Sequence, residues 1–495
     1  MSEQAGETIF APATAAGRAA IAVMRVSGPD ARRAATLLAG DLPRPRVALR
    51  RRIIDPGSGE ALDDGLVLWF PAPRSATGED VAEFHVHGSR AVLGAVMRVL
   101  GRLGMRLAEP GEFTRRAFLN GKLDLLQAEA IADLAAAETE AQRRQALRQL
   151  DGELGGLYYG WRDRLTRILA HLEAAIDFPD EDLPAEIDSR ILGETEELVA
   201  EIERHLTDGH RGERLRDGIM VAIVGPPNAG KSSLLNRIAR REAAITSPIA
   251  GTTRDIIEVA IDLEGYPVVL ADTAGLRDSG DEIEEEGKRR AIQRAEAAEI
   301  RLFVFDANHP TEAADAAAWP GPDTILIANK IDLLPPRAQS PRGRANSVMP
   351  GLDPGMQGAI TDLTDGGEGV DAHGTSPWAE GPRDTPGHDD ERLALPQETV
   401  PVSALTGVGV DRLLAVLGER VAQSYRIEAP VLTRARHRQA LEETVLALRR
   451  SISALLPELR AEDLRLALRS LGRATGAVDV EDLLDVIFRD FCIGK

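Results

Sequence analysis

The segment GPPNAGKS carries residues whose types and spacing suit phosphate chemistry. Gly225 is followed after four residues by Gly230, Lys231 and Ser232, between the apolar run IMVAIVG and a helix-forming run. Glycines let backbone N–H groups point at phosphates, the lysine reaches the β and γ phosphates, and the serine hydroxyl binds Mg²⁺. The spacing predicts a phosphate-binding loop, with contacts from Asn228, Ala229, Gly230, Lys231, Ser232 and Ser233.

Two further motifs are typical of the same kind of site. DTAG, residues 272–275, ends the strand-like run PVVLAD and puts a carboxylate near Mg²⁺ and a backbone N–H near the γ phosphate. GTTRD, residues 251–255, offers Thr253, whose hydroxyl completes the Mg²⁺ shell begun by Ser232. These motifs add Thr252, Thr253, Asp272, Thr273, Ala274 and Gly275 to the predicted nucleotide contacts.

The base is predicted from NKID, residues 329–332, which follows the strand-like run TILIA. The Asp332 carboxylate can accept two hydrogen bonds from N1 and N2 of guanine, whereas adenine has no such donor pair and would leave a buried charge unpaired. Sites of that kind reject the wrong analogue by roughly 10⁴ to 10⁵. GTP is therefore the expected nucleotide, with base contacts from Asn329, Lys330, Asp332, Ser403 and Ala404.

The residue after DTAG is Leu276, where Ras-like proteins place the glutamine that orients the attacking water. A leucine cannot hydrogen-bond water, so hydrolysis is slow or a polar group comes from elsewhere. The acidic run 278–287 could supply that group, although such runs are more often solvated faces. Asn228 carries a side-chain oxygen that could help hold a monovalent ion between the phosphates, where other enzymes use an arginine.

Three kinds of sequence pattern along the 495 residues indicate the elements that position these motifs. Residues 1–121 mix short strand-like runs with one helix near 92–103, which predicts an α+β domain. Residues 122–216 and 411–495 show helical periodicity, which predicts one split all-α domain. Residues 217–410 alternate apolar strands with helices, which predicts an inserted Ras-like P-loop domain of the α/β class.

Residues 335–400 interrupt the α/β pattern. Nineteen of these 66 residues are Pro or Gly, none is Lys, and five Arg face eleven Asp and Glu. Such a composition cannot bury enough apolar surface to offset chain entropy. We therefore predict that this segment is mostly disordered.

Composition narrows the setting of the protein. With 59 Lys and Arg against 79 Asp and Glu, the net charge of −20 opposes binding of nucleic acid through the overall field. RNA would have to meet a local basic patch or be held by a partner. No apolar run approaches the 18 residues of a membrane helix, no signal-type stretch opens the chain, and Cys492 is the one cysteine. We expect a cytoplasmic protein without a membrane span.

Longer blocks of the sequence resemble one family nearly from end to end. These blocks are ETIFAPATAAGRAAIAVMRVSG, SATGEDVAEFHVHG, PGEFTRRAFLNGKLDLLQAEAIADL, EAAIDFPDED and the terminal FCIGK, together with the nucleotide motifs. The chain resembles the bacterial tRNA modification GTPase family MnmE, also called TrmE. Only residues 335–400 fall outside the resemblance.

The resemblance implies a K⁺-stimulated GTP hydrolase that modifies C5 of the wobble uridine of certain tRNAs. The added group would be aminomethyl or carboxymethylaminomethyl, with a one-carbon unit from tetrahydrofolate in its 5,10-methylene or 5-formyl form. It further implies a homodimer formed through the amino-terminal domain, which would also hold the folate. An FAD-dependent partner of the MnmG or GidA family would complete a heterotetramer.

The resemblance also implies how hydrolysis is catalysed. Lys231 contacts the phosphates, and Glu284 corresponds to the family's water-positioning glutamate, so that Leu276 needs no polar function. The loop of residues 244–250 would wrap a K⁺ ion that bridges the phosphates when two GTPase domains meet. The K⁺ ligands would be Asn228, Ser247, Ile249 and Thr252, and Ser247 would also contact the nucleotide.

The resemblance places the folate on residues of the two chain ends. Arg25, Glu83 and Lys122 fall on family positions that contact the pterin or its tail, and Lys495 would approach from the carboxyl end. Arg and Lys suit a glutamyl carboxylate, whereas a carboxylate suits the pterin N–H donors. Cys492 is expected near the modification site as a further catalytic residue, with a small buried hydrophobe as the alternative.

Competing hypotheses exist both for the folate residues and for the protein as a whole. Glu83, His85 and His87 alternate along one strand and could form a metal triad, or the folate residues could belong to ordinary surface ion pairs. For the whole protein, the competing hypothesis is a ribosome-assembly or regulatory GTPase that binds RNA directly. That hypothesis predicts an RNA-binding module such as a KH domain with GXXG and a basic face, and the sequence shows none.

Overall fold

The computed structural model divides into two compact units. One comprises residues 1–219, 262–268 and 420–495, and the other comprises residues 220–261 and 269–419. The structure describes residues 6–177, 186–208, 210–241, 258–272, 298–318, 323–335, 399–426, 430–478, 484, 487–488 and 491–494. The disorder predicted for residues 335–400 falls almost entirely outside these ranges.

The amino-terminal part of the first unit is a six-stranded sheet with three helices. The strands are β1 Ile9–Pro12, β2 Ala19–Ser27, β3 Leu49–Ile54, β4 Ala61–Phe70, β5 Val81–Gly88 and β6 Arg106–Leu107, in the order β3-β4-β5-β2-β1-β6. The helices are α1 Ala31–Ala39, α2 Arg90–Arg102 and α3 Glu112–Leu119. Neighbouring strands are antiparallel except β1 and β6. The sequence predicted α2 but not α1 or α3, which are only nine and eight residues long.

The sheet buries one face and leaves polar side chains on the other. Met24 and Val26 of β2 and Phe84 of β5 form a core with apolar residues of α1 and α2. Arg25 and Glu83 point to the opposite face because successive side chains of a strand alternate. The helices therefore cover one face, and the other is open for polar chemistry.

The helical part of the first unit joins two distant stretches of the chain. The first stretch contains α4 Leu125–Ala136, α5 Glu140–Leu150, α6 Glu153–Asp177, α7 Glu186–Leu206 and α8 Arg211–Asp217, and the second contains α11 Ala435–Ser453 and α12 Pro457–Thr475. Tyr158, Trp161 and Leu165 of α6 share one core with Leu441 and Leu464. The predicted split helical domain thus closes on itself, while the domain boundaries 1–121, 122–216, 217–410 and 411–495 remain a proposal.

A second sheet, formed mostly by residues of the second unit, consists largely of parallel strands. The strands are β7 Ile219–Val224, β8 Glu258–Leu263, β9 Tyr266–Asp272, β10 Ile300–Asp306, β11 Thr324–Asn329 and β12 Val400–Pro401, in the order β12-β11-β10-β7-β9-β8. The pairs β7–β10, β10–β11 and β11–β12 are parallel. Helices α9 Lys231–Arg241 and α10 Val410–Tyr425 accompany them. Six of the seven residues of β10 are buried, as expected for a central parallel strand covered on both faces.

The fold is therefore of mixed class, with an α+β part, an all-α part and an inserted α/β part, as the sequence predicted. Among the residues that the structure describes, no helix is long and apolar enough to cross a membrane.

Candidate functional site

The loop between β7 and α9 has a backbone that most residues could not adopt. Gly225 and Gly230 have φ angles of 137° and 92°, and Asn228 between them has a φ of 61°. A Cβ atom on Gly225 would lie 2.0 Å from the carbonyl oxygen of Val304, and one on Gly230 would lie 2.3 Å from Nδ2 of Asn329. Both glycines are required by close packing as well as by conformation.

Lys231 opens α9 and turns back over this loop. Its Nζ donates to the carbonyl oxygens of Gly225 and Pro226, both at 2.8 Å. Burial lowers the pKa of Lys231, and the carboxylate of Asp272 only partly offsets that effect. The buried ammonium thus hydrogen-bonds neutral carbonyl groups, and an anionic phosphate in the loop would stabilise it further.

Oxygen donors suited to Mg²⁺ lie at the same edge of the sheet. Ser232 follows Lys231 in the first turn of α9, and the buried Asp272 ends β9. A hydroxyl and a carboxylate are ligands that Mg²⁺ prefers. The donor set therefore fits the predicted metal. Ser233, the next residue of α9, is exposed.

Asn329 joins the phosphate loop to the segment predicted to contact the base. Its Nδ2 donates to the carbonyl oxygen of Ala229 at 2.8 Å, and its Oδ1 accepts from the backbone N–H of Ala404 at 2.9 Å. The side chain is buried, so both bonds are made away from water. Residues 229, 329 and 404 are thereby brought together, and their contact with a nucleotide stays a prediction.

The remaining residues predicted to contact the base are held by short polar contacts. Oδ1 of Asp332 accepts from Oγ of Ser403 at 2.5 Å, and Lys330, with a φ of 63°, donates from Nζ to Oδ2 of Asp306 at 2.8 Å. Burial alone would raise the pKa of Asp306, but its hydrogen bonds, the first of them from Lys330, bring it below the usual value. Asp306 therefore stays ionised and orients Lys330.

Sequence reasoning missed two supporting residues of this site. One is Asp306, and the other is Arg237 of α9, whose Nε donates to the carbonyl oxygen of Ala404 at 2.9 Å. Arg237 also bonds the carbonyl oxygen of Leu405. Neither residue belongs to a recognised motif, and the contacts of Arg237 span well over one hundred positions, so no local signal could have identified it.

The predicted folate residues divide into a pair and a separate lysine. Nε of Arg25 donates to Oε1 of Glu83 at 2.9 Å, because the two residues face each other across β2 and β5. The Arg25 guanidinium also lies 5.6 Å from the ring centroid of Phe113. Lys122 instead donates to the carbonyl oxygen of Pro73 at 3.2 Å.

The histidines of β5 do not form a metal triad with Glu83. Nε2 of His85 lies 3.5 Å from Oε2 of Glu83, whereas His87 uses Nδ1 to bond Asp63 at 2.8 Å. Among the described ranges, no group of three or more His, Cys, Asp and Glu could hold a metal ion.

The carboxyl terminus packs against the beginning of α3. The carbonyl oxygen of Cys492 accepts from the N–H of Gly111 at 3.4 Å, and Ile493 forms an antiparallel bridge with Pro110. A Cβ atom on Gly494 would lie 2.1 Å from the carbonyl oxygen of Pro12. Cys492 itself is exposed, so the hypothesis of a small buried hydrophobe is wrong. Gly111, which this terminus contacts, is two residues from Phe113, whose ring lies near Arg25.

Several predicted site residues lie outside the described part of the chain. They are Ser247, Ile249, Thr252, Thr253, Thr273, Ala274, Gly275, Glu284 and Lys495, together with Leu276.

A phosphate loop after β7, a carboxylate after β9 and the NKID segment after β11 all lie at the carboxyl edge of a parallel sheet. This arrangement defines a P-loop GTP-binding domain, inserted here into a helical domain.

Comparison with known proteins identifies the family. The model of the MnmE helical domain matches residues 125–492, and the model of the GTP-binding protein TrmE N-terminus matches residues 8–122. The chain is 53% identical to the tRNA modification GTPase MnmE of Rhodospirillum rubrum over 99% of both chains. It is 54% identical to that of Paramagnetospirillum magneticum over 99% of this chain and 100% of the relative. The chain belongs to the MnmE family.

Among solved structures, a GTP-binding protein from Sulfolobus solfataricus in complex with GDP covers 67% of this chain and 76% of its own. Its TM-score is 0.23 at 14% identity, a level that supports no conclusion.

Proposed function

We propose that this chain is a GTP hydrolase that acts in tRNA modification. The observation that supports the proposal is the pair of hydrogen bonds made by the Asn329 side chain, which links the phosphate loop to the segment predicted to contact the base. Membership of the MnmE family supports tRNA as the substrate, because relatives are called tRNA modification GTPases. The decisive experiment analyses the wobble-uridine nucleosides of tRNA from cells that lack the protein. These nucleosides should have lost their modification. An unchanged nucleoside profile would refute the role in tRNA.

Guanine specificity rests on Asp332, which Ser403 holds in position. Replacing the carboxylate by an amide in Asp332→Asn turns one of the two acceptor oxygens into an N–H donor, which can no longer accept from the 2-amino group of guanine. We expect GTP binding to weaken strongly and xanthosine triphosphate to be accepted instead, since its C2 oxygen is an acceptor. Competition binding of the two nucleotides measures this exchange. Retained preference for GTP would assign base recognition to another residue.

The finer proposal for hydrolysis is activation by K⁺. Asn228 is exposed in the phosphate loop, where its side-chain oxygen would help bind a K⁺ ion with Ser247, Ile249 and Thr252. Such a cation would neutralise the charge that develops between the phosphates, an effect worth about 10³ to 10⁵ in rate when an arginine provides it. Turnover should be much faster in KCl than in NaCl, and equal rates would remove the cation from the proposal.

Glu284 is proposed to position the attacking water. Glu284→Ala should abolish hydrolysis and leave GTP affinity nearly unchanged, because the carboxylate acts on the water and not on the nucleotide. Single-turnover hydrolysis together with nucleotide binding separates the two effects. Turnover retained in this variant would assign the role to a different group.

The one-carbon chemistry is proposed to use a tetrahydrofolate bound at Arg25, Glu83, Lys122 and Lys495. The half-buried Arg25–Glu83 pair fits this ligand, since it offers a guanidinium for carboxylates and a carboxylate for pterin N–H groups. Glu83→Gln should weaken binding of 5-formyltetrahydrofolate, whereas Glu60→Gln on an exposed turn of the same domain should not. Equal affinities would exclude the pair as the folate site.

The exposed thiol of Cys492 is proposed to take part near the modified uridine. Cys492→Ser should retain GTP hydrolysis and lose uridine modification, and full modification by this variant would exclude the thiol.

The assembly proposed for this chain is a cytoplasmic homodimer that forms a heterotetramer with an FAD-dependent MnmG or GidA protein. Native mass measurement of the mixture tests that stoichiometry, and a lone monomer would refute it.

A further inference from the structure

A basic segment interrupts the otherwise acidic chain in the amino-terminal domain. Residues 44–52 contain five arginines, and no acidic residue lies between positions 42 and 54, in a protein with a net charge of −20. The last three of these arginines belong to β3, which is an edge strand of the six-stranded sheet. The segment therefore creates a local positive surface that the overall charge does not predict.

Two of these arginines are exposed and share one carboxylate. The side chains of Arg50 and Arg52 are 78% and 69% exposed, and they approach Asp64 of β4 at 3.9 and 3.5 Å. One exposed carboxylate cannot neutralise two guanidinium groups. Surface ion pairs of this kind are weak, so a ligand anion can replace them.

The strand register places Arg50 and Arg52 on the polar face of the sheet. Arg50 lies opposite Leu66, which lies opposite His85 of β5, and directly opposed residues share a face. Glu83 is on the same face two residues from His85. Neighbouring strands are about 4.8 Å apart, so the arginines of β3 lie roughly 10 Å from β5.

The other face of this sheet is covered by α1 and α2, which limits what can approach from there. On the polar face, a flat ligand region at β2 and β5 is thus bordered by an arginine edge at β3. Guanidinium groups bind phosphate oxygens in a bidentate fork, which lysine cannot do. Charged residues also protect edge strands from pairing with other chains, but that role does not require Arg44 and Arg46 ahead of β3.

We propose that Arg50 and Arg52 contact the phosphate backbone of the tRNA while its target base faces the Arg25–Glu83 region of the same sheet face. This inference rests on the proposed function, because it takes tRNA as the substrate. The contact would be independent of sequence and would orient the RNA, as phosphate contacts generally do.

The test compares two double variants of the full-length protein. Arg50→Ala with Arg52→Ala removes the edge arginines, and Arg32→Ala with Arg33→Ala removes the same charge from α1 on the opposite face. Binding of unmodified tRNA is measured by fluorescence anisotropy between 50 and 200 mM salt, with GTP hydrolysis as the check of folding. The β3 variant should bind about tenfold more weakly at low salt, with a salt slope shallower by about 1.4 to 1.8. The α1 variant should match the wild type.

Four results would overturn the assignment. They are equal losses in both variants, an unchanged β3 variant, a wild-type chain that does not bind tRNA, and displacement of the tRNA by polyglutamate as effectively as by unlabelled tRNA. Failure of the proposed function is recognised separately, because it would leave tRNA binding intact and show no change of wobble-uridine nucleosides in cells lacking the protein.

Discussion

Two buried charges, one in each unit, are compensated in opposite ways. Lys231 in the phosphate loop bonds two neutral carbonyl oxygens, and burial lowers its pKa. Glu129 in α4 is fully buried, yet its pKa is held well below the usual value. Burial alone would raise the pKa of Glu129, but the hydrogen bonds from His437 and Arg436 and the positive charge of Arg436 outweigh it.

The contacts of Glu129 explain this difference. Arg436 donates to both carboxylate oxygens at 2.6 and 2.7 Å, Nε2 of His437 donates at 2.9 Å, and Arg434 lies 3.3 Å away. Burial and the neighbouring arginines lower the pKa of His437 to about 4, so the ring is neutral at pH 7. Its Nδ1 has no hydrogen-bond partner, as expected of the unprotonated nitrogen in that tautomer.

The two charges have different roles: Lys231 belongs to a site that can bind a ligand, whereas Glu129 links two parts of the structure. A buried charge that is solvated by dipoles can gain from an arriving counter-charge, whereas one already matched by opposite charges gains nothing from a ligand. Glu129 and Arg436 lie in the two halves of the helical domain. Their pair therefore holds these halves together, and the nucleotide site is left open for chemistry.

The largest effect on stability is expected when the Glu129–Arg436 ion pair is broken. Glu129→Ala leaves the guanidinium of Arg436 without its carboxylate partner, and we expect a loss of about 3 to 5 kcal/mol in the free energy of unfolding. Urea unfolding, together with amide hydrogen exchange in α11, measures the loss and its location. Unchanged exchange in α11 would show that Glu129 does not join the two halves.

Removing the charge of Lys231 should have the opposite effect, with a large loss of hydrolysis and little loss of stability. Lys231→Ala removes the cation predicted to contact the phosphates, and we expect hydrolysis to fall by about 10² to 10³, the range found for single electrostatic stabilisers. Stability without nucleotide should not fall as it does for Glu129→Ala. A loss of stability comparable to that of Glu129→Ala would show that Lys231 is a structural residue, and the proposed difference between the two charges would be wrong.

The stability of the helical domain should also depend on pH, because His437 contacts Glu129. His437 has a pKa of about 4 when folded and about 6.5 when unfolded, so the unfolded chain binds more protons between these values. Stability of the helical domain should therefore fall as the pH is lowered from 6.5 to 4.5, by up to about 1.4 kcal/mol per unit. His437→Gln should flatten this part of the profile. A wild-type profile flat over that range would contradict the neutral histidine.

The smallest effect is expected at an exposed carboxylate with similar partners. Glu140 in the first turn of α5 bonds Arg143 and Arg144, which lower its pKa to about 2, but all three side chains are exposed. Water screens these charges, so Glu140→Gln should leave urea unfolding unchanged within error. A loss as large as that of Glu129→Ala would show that partner number, and not burial, decides the effect.

Much of the nucleotide site was predictable because its geometry is local. The glycines, Lys231 and the NKID segment follow strands that are themselves marked by apolar runs, and parallel strands end at one edge of a sheet. The NKID segment is separated from Ala404 by an unusual insert, yet the sequence analysis assigned both to one site, and the structure brings Asn329 and Ala404 into contact. The family resemblance extended the prediction to residues such as Glu284, which the structure does not describe.

The amino-acid sequence by itself determined the mixed fold class, the GTP motifs and the family, because each depends on short segments with their own backbone preferences. Only the tertiary structure decided which charges meet. Arg436 is 307 positions from Glu129, and Arg25 is 58 positions from Glu83. Any of the chain's many arginines could pair with any acid on composition alone. The choice follows from strand register and helix packing, which are fixed by burial of the apolar cores of the amino-terminal sheet and of the helical part.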